Sequence, residues 1–363
     1  GDVYKRQYSY KTNYTPKFCK IVNELGGYAE VVSEMELEIA LRVGVESKRI
    51  IWNGPIKNAK KLEEFLVAGG TDNIDSVEEL AVVKAIAERH PDKVLNLGIR
   101  CNYDVQDGVV SRFGLDVDSE DFQQVLEFVI TTKNVHFINF QCHFAKRQIE
   151  YWSARAKGMV ELIDRIGIIP ERLDVGGGLF GKMADSLKAQ FKNDIPDYQA
   201  YAEATATIFA DYFADKNVKP ELLIEPGSAV AGDCMKFVGT VKTIKCVRGK
   251  WMATVLGSQK NISMSGINPP MEVITMGGEQ KEYKDLDFVG FTCIEGDVLY
   301  NNYNGKLAHE DAIVISNCGS YSLVMKPPFI LPNFPVLDIC GEKTEVIKRG
   351  EVFDDLFHTF NYD

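Results

Sequence analysis

The sequence predicts a (β/α)8 barrel joined to a second, mainly antiparallel β domain. Two observations support this fold class. From residue 8 to about 235, eight short β-like runs alternate with helical stretches, which is the pattern of a parallel barrel. After about residue 236 the β-like runs continue, with few helical periods before a stretch that begins at residue 351. We therefore expect a barrel over residues 8–235 and a C-terminal β domain with a terminal helix over residues 236–363.

The individual elements follow from local patterns. The eight predicted barrel strands are YSY (8–10), YAEVV (28–32), RIIWN (49–53), NID (73–75), VLNLGI (94–99), FINFQCH (137–143), RLDV (172–175) and LLIE (222–225). Among the helices, SVEELAVVKAIAERH begins with Ser76 and Glu79 at the spacing of a capping box. In the second domain, KFVGTVKTIKCVRGKWMATVLGS is typical of two β runs around an Arg-Gly-Lys turn.

Composition excludes several classes of function. The chain has 363 residues, 45% of them hydrophobic and 26% charged, as in ordinary globular proteins. Its net charge of -11 disfavours nucleic acid as a partner, and no apolar run approaches the roughly 20 residues of a membrane span. The eight cysteines include no C-x-x-C pair. This disfavours a metal site or a disulfide framework and predicts a reducing, cytoplasmic environment.

The first residues have an unusual origin. Asp2 to Gln7 can be translated back into GAT GTG TAT AAG AGA CAG, the end of a transposon-type sequencing adapter. We therefore expect that the chain is truncated at its N-terminus and that native sequence begins near Tyr8.

Polar groups follow the predicted barrel strands, where a barrel of this type places its chemistry. In chain order they are Lys11, Ser33-Glu34 with Glu36, Asn53-Gly54-Pro55, Asp75-Ser76, Arg100, His143, Gly176-Gly177-Gly178 and Glu225-Pro226-Gly227. A lysine amine can form a Schiff base with an aromatic aldehyde, and glycines let backbone N–H groups approach a phosphate. A carboxylate opposite a ring nitrogen keeps it protonated, so that the ring accepts electrons from the substrate's α-carbon.

Each of these features has a structural alternative. Lys11 could be a solvated strand end, the triple glycine a flexible turn, and the IEPGS segment a proline turn after a strand. His143 could be a core histidine, and Arg100 could form a structural ion pair. No feature decides the case by itself, and the order and placement of the whole set favour a site.

The full set of motifs resembles the fold-type III pyridoxal phosphate (PLP) decarboxylases, the ornithine/diaminopimelate/arginine decarboxylase family. The family blocks YAVKAN, DVVSxGEL, SKFG, HCH, DxGGG, EPG, CxxGD and GAY are similar to YSYKTN, EVVSEMEL, SRFG (111–114), QCH (141–143), DVGGG (174–178), EPG (225–227), CIEGD (293–297) and GSY (319–321). The blocks occur in family order over nearly the whole chain. The resemblance implies an alanine racemase-like fold and PLP as cofactor.

The resemblance also implies a role for each matching residue. Lys11 would form the Schiff base with PLP, His143 would stack on its ring, and Glu225 would pair with its ring nitrogen. The phosphate would be held by Gly176, Gly177, Gly178, Gly227 and Tyr321. Cys293 would protonate the product carbanion after CO2 leaves, and Asp297 and Arg100 would contact the substrate. Family members form head-to-tail homodimers with shared active sites, so Cys293 and Asp297 would come from the partner subunit.

This chain also departs from the family pattern. The arginine of EPGR is Ser228 here, and Lys146 or Arg147 is a candidate replacement for its charge. The first histidine of HCH is Gln141. The segment NPPME (268–272) lacks the arginine and tyrosine that fix the distal carboxylate of diaminopimelate, which disfavours that substrate. We expect decarboxylation of a small-molecule amino acid; the alternatives are an amino-acid racemase or epimerase on the same fold and a non-catalytic PLP-binding homologue.

Overall fold

The structure, a computed structural model, describes residues 4–263 and 266–362. Residues 1–3 lie outside the described residues, and the rest of the adapter-like segment, residues 4–7, belongs to the first strand. The chain forms two compact units, one running to Lys182 and resuming from Phe191 to Gly232, the other holding Met183–Gln190 and the chain from Asp233 onward. The sequence placed the division between residues 235 and 236 and did not assign the 183–190 segment to the second unit.

The predicted barrel is confirmed. The strands of the first unit in the described part of the chain are β1 (Tyr4–Ser9), β2 (Tyr28–Val31), β3 (Ile50–Trp52), β4 (Thr71–Ile74), β5 (Leu95–Asn102), β6 (Leu115–Asp116), β7 (Val135–Gln141), β8 (Arg172–Asp174) and β9 (Glu221–Ile224). All their pairings are parallel, and β1 pairs with both β2 and β9. Eight strands therefore close into a ring, while the two-residue strand β6, which the sequence did not reveal, adds to β5 outside it.

Helices alternate with these strands. Up to residue 232 they are α1 (Pro16–Glu24), α2 (Glu34–Arg42), α3 (Ala59–Val67), α4 (Val77–Arg89), α5 (Glu120–Thr131), α6 (Ile149–Ile166), α7 (Asp185–Lys188), α8 (Tyr198–Tyr212) and α9 (Ser228–Ala231), with 3-10 turns at Tyr10–Thr12 and Ser47–Arg49. Several of these helices have a polar N-cap residue. At the start of α4, for example, the Ser76 side chain accepts a hydrogen bond from the backbone N–H of Glu79. The Glu79 carboxylate accepts from the backbone N–H of Asp75 rather than from that of Ser76, so the predicted capping box is shifted by one residue.

The second unit is mostly antiparallel. Its strands are β10 (Phe237–Val247), β11 (Lys250–Val255), β12 (Met271–Ile274), β13 (Lys281–Val289), β14 (Val298–Leu307), β15 (Ala312–Ile315), β16 (Val336–Cys340) and β17 (Lys343–Lys348), and it also has a 3-10 turn at Gln259–Asn261 and the terminal helix α10 (Phe353–Phe357). Six strands form one sheet in the order β12-β15-β10-β11-β13-β14, in which only the β11–β13 pair is parallel. The predicted Arg-Gly turn joins β10 to β11, with Arg248 and Gly249 both at positive φ.

No helix within the described ranges is long and apolar enough to cross a membrane.

Candidate active site

The barrel fold brings the predicted polar groups of the first unit to one mouth, because the carboxyl ends of parallel strands lie on the same side. Two buried glutamates organise this mouth. Glu30, on β2, lies 2.9 Å from the Nζ atom of Lys11. Asn53, which follows β3, joins the two glutamates: its Nδ2 donates to Glu30 over 3.3 Å and to Glu225 over 2.6 Å. Lys11, Glu30 and Glu225 therefore belong to one connected polar cluster.

The sequence predicted that Lys11 ends a strand, and the structure shows that this prediction was wrong. Strand β1 ends at Ser9, and Lys11 lies in the single 3-10 turn Tyr10–Thr12, which the backbone N–H of Asn13 closes by donating to the carbonyl of Tyr10. Its side chain is 32% exposed and reaches Glu30 with its amine. The turn thus places the amine at the barrel mouth, accessible to a ligand, while its own residues Tyr10 and Thr12 stay buried.

Glu30 is the acidic partner of this amine. Its side chain is buried, which by itself would raise the pKa of the carboxyl group, but the charge and hydrogen bonds of Lys11, with the Ser9 hydroxyl donating as well, hold that pKa below its ordinary value. Glu30 is therefore an anion that orients Lys11. Glu30 was not among the residues predicted from the sequence, where its signal was a charged residue inside the short apolar run YAEVV.

Glu225 lies in a different electrostatic environment. Burial, together with the nearby carboxylates of Asp174 and Glu30, raises its pKa well above the ordinary value. It accepts hydrogen bonds from Asn53 and from Gln141 Nε2 at 3.1 Å. The carboxyl group is thus held rigidly and would be stabilised as an anion by a cation in front of it, such as a protonated ring nitrogen.

His143 follows β7 beside Glu225, with its Nδ1 3.7 Å from a Glu225 oxygen. This Nδ1 accepts a hydrogen bond from the backbone N–H of Gly177 at 3.0 Å, so the ring carries its proton on Nε2. Burial and the positive charge of Lys11 lower the pKa of His143 well below its ordinary value. His143 is therefore a neutral ring in fixed orientation at the mouth and not a satisfied core histidine.

The glycine segment after β8 requires its glycines. Gly176 and Gly178 have positive φ angles of 74° and 93°. A Cβ atom at Gly177 would lie 2.2 Å from the carbonyl oxygen of Glu225, closer than any side chain can approach. The segment therefore packs directly on the start of the loop that carries Glu225, and the N–H groups of Gly176 and Gly177 donate to Asp174 Oδ1 and His143 Nδ1.

Arg155, which was not among the residues predicted from the sequence, connects the loop after His143 to the glycine segment. Its guanidinium, on α6, is fully buried and donates to the carbonyls of Val175 and Gly177 at 3.1 and 2.7 Å. It also donates to the carbonyls of Phe144 and Lys146 at 2.9 and 3.0 Å. One side chain thus ties the loop after His143 to the glycine segment. The only signal in the sequence was a charge on the apolar face of a helix.

Three buried asparagine side chains form a chain of hydrogen bonds inside the barrel, here called the amide ladder. The Nδ2 of Asn139 donates to Asn73 at 3.0 Å, and the Nδ2 of Asn73 donates to Asn53 at 2.6 Å. These side chains come from β7, β4 and the end of β3, and each is at most 2% exposed. The ladder fixes Asn53 and, through it, both glutamates.

Arg100 forms the ion pair that was its structural alternative. Its Nη1 lies 3.2 Å from Asp75 and 3.1 Å from the carbonyl of Asn53, and its guanidinium stacks over the ring of Phe113 at 4.7 Å. Asp75 also accepts from the backbone N–H of Gly114, within the SRFG motif. Contact of Arg100 with a substrate stays a prediction.

The family model described as pyridoxal-dependent decarboxylase, pyridoxal binding domain, matches residues 2–232. The chain belongs to this family. Its sequence is 25% identical over 369 residues to the diaminopimelate decarboxylase of Aquifex aeolicus, covering 96% of this chain and 83% of the relative. The resemblance seen in the motifs is thereby confirmed, and with it the assignment to the PLP-dependent amino-acid decarboxylases.

Solved structures show the same fold. Diaminopimelate decarboxylase from M. jannaschii superposes with a TM-score of 0.85 at 22% identity, covering 98% of this chain and 84% of that one. The arginine decarboxylase of Paramecium bursaria Chlorella virus superposes with a TM-score of 0.72 at 20% identity, covering 90% and 87%. The alanine racemase-like architecture predicted from the sequence is therefore confirmed, while these two likenesses leave the substrate open.

The mouth fits the cofactor of this family, PLP. A Cβ atom at Gly227 would lie 2.1 Å from Oγ1 of Thr12, and this buried hydroxyl has no hydrogen-bond partner among the described residues. Within the described part of the chain, the Thr12 hydroxyl is unpaired, and it lies beside a backbone position where only glycine fits. A phosphate oxygen would accept its hydrogen bond. An amine (Lys11), an imidazole ring (His143) and a buried carboxyl group (Glu225) lie at the same mouth, which is the set of groups expected for PLP.

The remaining predicted site residues belong to the second unit. Cys293 is exposed, and Tyr321 is half-buried with a positive φ of 57°. Asp297 is buried, and its carboxylate accepts from the Ser258 hydroxyl at 2.9 Å and from the Thr292 hydroxyl at 2.5 Å. This geometry gives Asp297 a role in holding the turn that carries Cys293, and a direct contact with substrate stays a prediction.

Proposed function

We propose that this protein decarboxylates an amino acid at the barrel mouth, with Lys11 as the covalent attachment point of PLP. The observation that carries the proposal is the cluster of Lys11, Glu30, Asn53 and Glu225, in which an accessible amine and a buried acid face one space. PLP, when bound, supplies the ring that stores the electron pair released as CO2 leaves.

The residues of the chain would divide the remaining work. Glu225 holds a proton on the ring nitrogen, since a buried carboxyl with no cation opposite it has a raised pKa and gains from a cationic partner. His143, fixed by Gly177, stacks on the ring. Gly176 to Gly178, Gly227 and Tyr321 receive the phosphate, with the Thr12 hydroxyl as a further donor. Glu30 keeps the amine of Lys11 aimed at the same space.

Proton delivery to the product is assigned to Cys293. Its thiol is exposed in the second unit, on a turn fixed by Asp297. We assign it to the active site of the other protomer of a homodimer, following the family motif CxxGD. A cytoplasmic location accords with eight free cysteines, four of them exposed.

The proposed substrate is an amino acid, and the motifs do not determine its side chain. In the segment that would fix a distal carboxylate, Asn268 is engaged within its own unit, accepting from the backbone N–H of Asn301 at 2.8 Å and donating to its carbonyl at 2.9 Å. Ser228 offers no positive charge in place of arginine. We therefore expect CO2 release to be faster with an amino acid that lacks a distal carboxylate than with diaminopimelate.

A reductive trapping experiment tests the attachment point. The chain is incubated with PLP, reduced with borohydride and digested, and the labelled peptide is identified by mass spectrometry. We expect the label on the peptide that contains residue 11. Lys11→Arg should abolish it, and Lys20→Arg, at a site 62% exposed on α1, should not. A label on another lysine with none on Lys11 would overturn the proposal.

The same preparation tests the reaction. CO2 and amine should form in equal amounts when basic, acidic and aromatic amino acids and diaminopimelate are screened. Inversion of the α-carbon without CO2 would instead identify a racemase. Bound PLP with no turnover of any of these would identify a non-catalytic homologue.

A further inference from the structure

The second unit contains a lysine that the proposed reaction does not use. Lys326 follows the GSY motif by five residues, and its Nζ is buried without a hydrogen-bond partner among the described residues. The ammonium lies over the ring of Phe334, 3.5 Å from its centroid. An aromatic face replaces only part of the hydration that an ammonium loses on burial. Burial accordingly lowers the pKa of Lys326 to about 8.

The nearest acid does not neutralise this charge. Glu351 influences Lys326 electrostatically, but one of its oxygens pairs with Lys348 Nζ at 2.9 Å. Its other oxygen accepts from the backbone N–H of Asn333 at 3.0 Å. Lys326 is therefore a positive group whose counter-ion has to come from elsewhere.

Lys326 lines a cavity of about 230 Å³ within the same unit. The walls include the rings of Phe237, Phe291, Phe329 and Phe334, and Lys260 adds a second positive charge. No aspartate or glutamate is among the described residues that line it. The cavity thus combines an apolar, aromatic wall with an excess of positive charge.

We propose that this cavity binds a small apolar carboxylate, with the carboxylate on Lys326 Nζ and the apolar body against the phenylalanine rings. A carboxylate would supply both the hydrogen-bond acceptor and the counter-ion that the ammonium lacks. With a volume of about 230 Å³, the cavity is larger than the ~150 Å³ apolar cavity that binds benzene, so a single-ring acid such as benzoate would fit. The lining includes Ser258 and Thr292, which donate hydrogen bonds to Asp297, but none of the residues assigned to PLP, so the proposal does not depend on the chemistry of Lys11.

Benzoate is a suitable probe, with benzamide as its neutral isostere. Titration into the full-length protein loaded with PLP is followed by calorimetry for the wild type, Lys326→Met, and the matched control Lys281→Met, an exposed lysine on β13. We expect Lys326→Met to weaken benzoate binding about tenfold or more and to leave benzamide binding within about twofold, because only the ion-paired hydrogen bond is lost. Lys281→Met should change neither.

A second measurement locates the site in the unmodified chain. Lysines are reductively methylated with formaldehyde in the presence and absence of benzoate, and the extent of methylation is read at each peptide. Benzoate should protect Lys326 and leave Lys281 unchanged. Benzamide binding as tightly as benzoate, benzoate affinity unaltered in Lys326→Met, or protection confined to other lysines would each overturn the proposal.

Discussion

At the scale of the residue, buried carboxyl groups in the barrel differ in their affinity for protons because their neighbours differ. Burial raises the pKa of Asp174 to about 6 and that of Glu36 to about 7, although backbone N–H groups oppose both shifts. Glu30 is equally buried, but the adjacent Lys11 reverses the outcome and keeps it ionised. Buried carboxyl groups of this barrel are thus either ionised, as Glu30 is, or have a raised pKa, as Asp174 and Glu36 do, according to their neighbours.

Glu36, which is not assigned to PLP or substrate, allows this effect to be measured. It accepts from the backbone N–H of Val32 at 2.8 Å at the start of α2. Since its pKa in the folded protein is above that of an exposed glutamate, the folded state binds the proton more tightly, and stability falls as pH rises from about 4.5 to about 7.

We expect Glu36→Gln to remove this loss, because an amide oxygen can still accept from Val32 without becoming charged. Relative to the wild type, the variant should gain stability steadily between pH 5 and pH 8, by up to about 3 kcal/mol at the upper end. Urea unfolding across this range provides the measurement. Glu34→Gln, exposed in the same helical turn, is the control and should give a difference that does not change with pH. A flat difference for Glu36→Gln as well would refute the assignment.

At the scale of the element, α6 positions two loops of the active site through one buried side chain. Four carbonyl groups, from the loops after β7 and β8, accept hydrogen bonds from Arg155. A planar guanidinium can serve acceptors in several directions, whereas a lysine ammonium has three donors at one point. Helix α6 is therefore a positioning element for His143 and the glycine segment.

We expect Arg155→Lys to weaken PLP binding by about tenfold or more, since at least one buried carbonyl is left without a donor and the glycine segment loses its fixed geometry. PLP affinity is measured by absorbance titration, and thermal unfolding is recorded in parallel. Arg165→Lys is the matched control: it lies on the same helix but contacts Asp118 and the carbonyl of Val117, away from the glycine segment. Wild-type PLP affinity in Arg155→Lys would show that Arg155 supports the fold alone.

At the scale of the whole molecule, we propose that the reaction uses residues of two chains. The amine, the ring nitrogen partner and the stacking histidine all belong to the first unit, whereas Cys293 belongs to the second. In a head-to-tail homodimer each site would take its first set from one protomer and Cys293 from the other. Such an arrangement makes activity a property of the pair of chains.

Mixing two inactive variants tests this arrangement. Lys11→Ala and Cys293→Ala should each have little decarboxylase activity alone. After unfolding and refolding together in equal amounts, half of the dimers are mixed and each has one intact site, so about a quarter of wild-type activity should return. Refolding each variant by itself is the control. No recovery, with dimers demonstrated by light scattering, would place Lys11 and Cys293 of the same chain in one site.

The sequence by itself determined the barrel and the residues at its mouth. Consecutive strands that are connected by helices run parallel, and parallel strands place their carboxyl ends on one side of the barrel. Residues that follow these strands, such as Lys11, His143 and Glu225, therefore lie close together. These inferences need only local periodicity and chain order, which are written in the sequence. The number and order of the ring strands and the β10–β11 hairpin were predicted correctly for this reason, whereas strand bounds differ, as at β1, which spans Tyr4–Ser9 and not residues 8–10.

Only the tertiary structure decided which other groups hold that site together. Glu30 and Arg155 act through side chains that come from a strand and a helix, and their separation along the sequence has no period that could reveal them. The tertiary structure also showed that Lys11 lies in a 3-10 turn after the strand and that Lys326 Nζ has no hydrogen-bond partner in the part of the chain that the structure describes. The pairing, burial and pKa of a side chain depend on the groups around it, and these groups come together only when the chain folds.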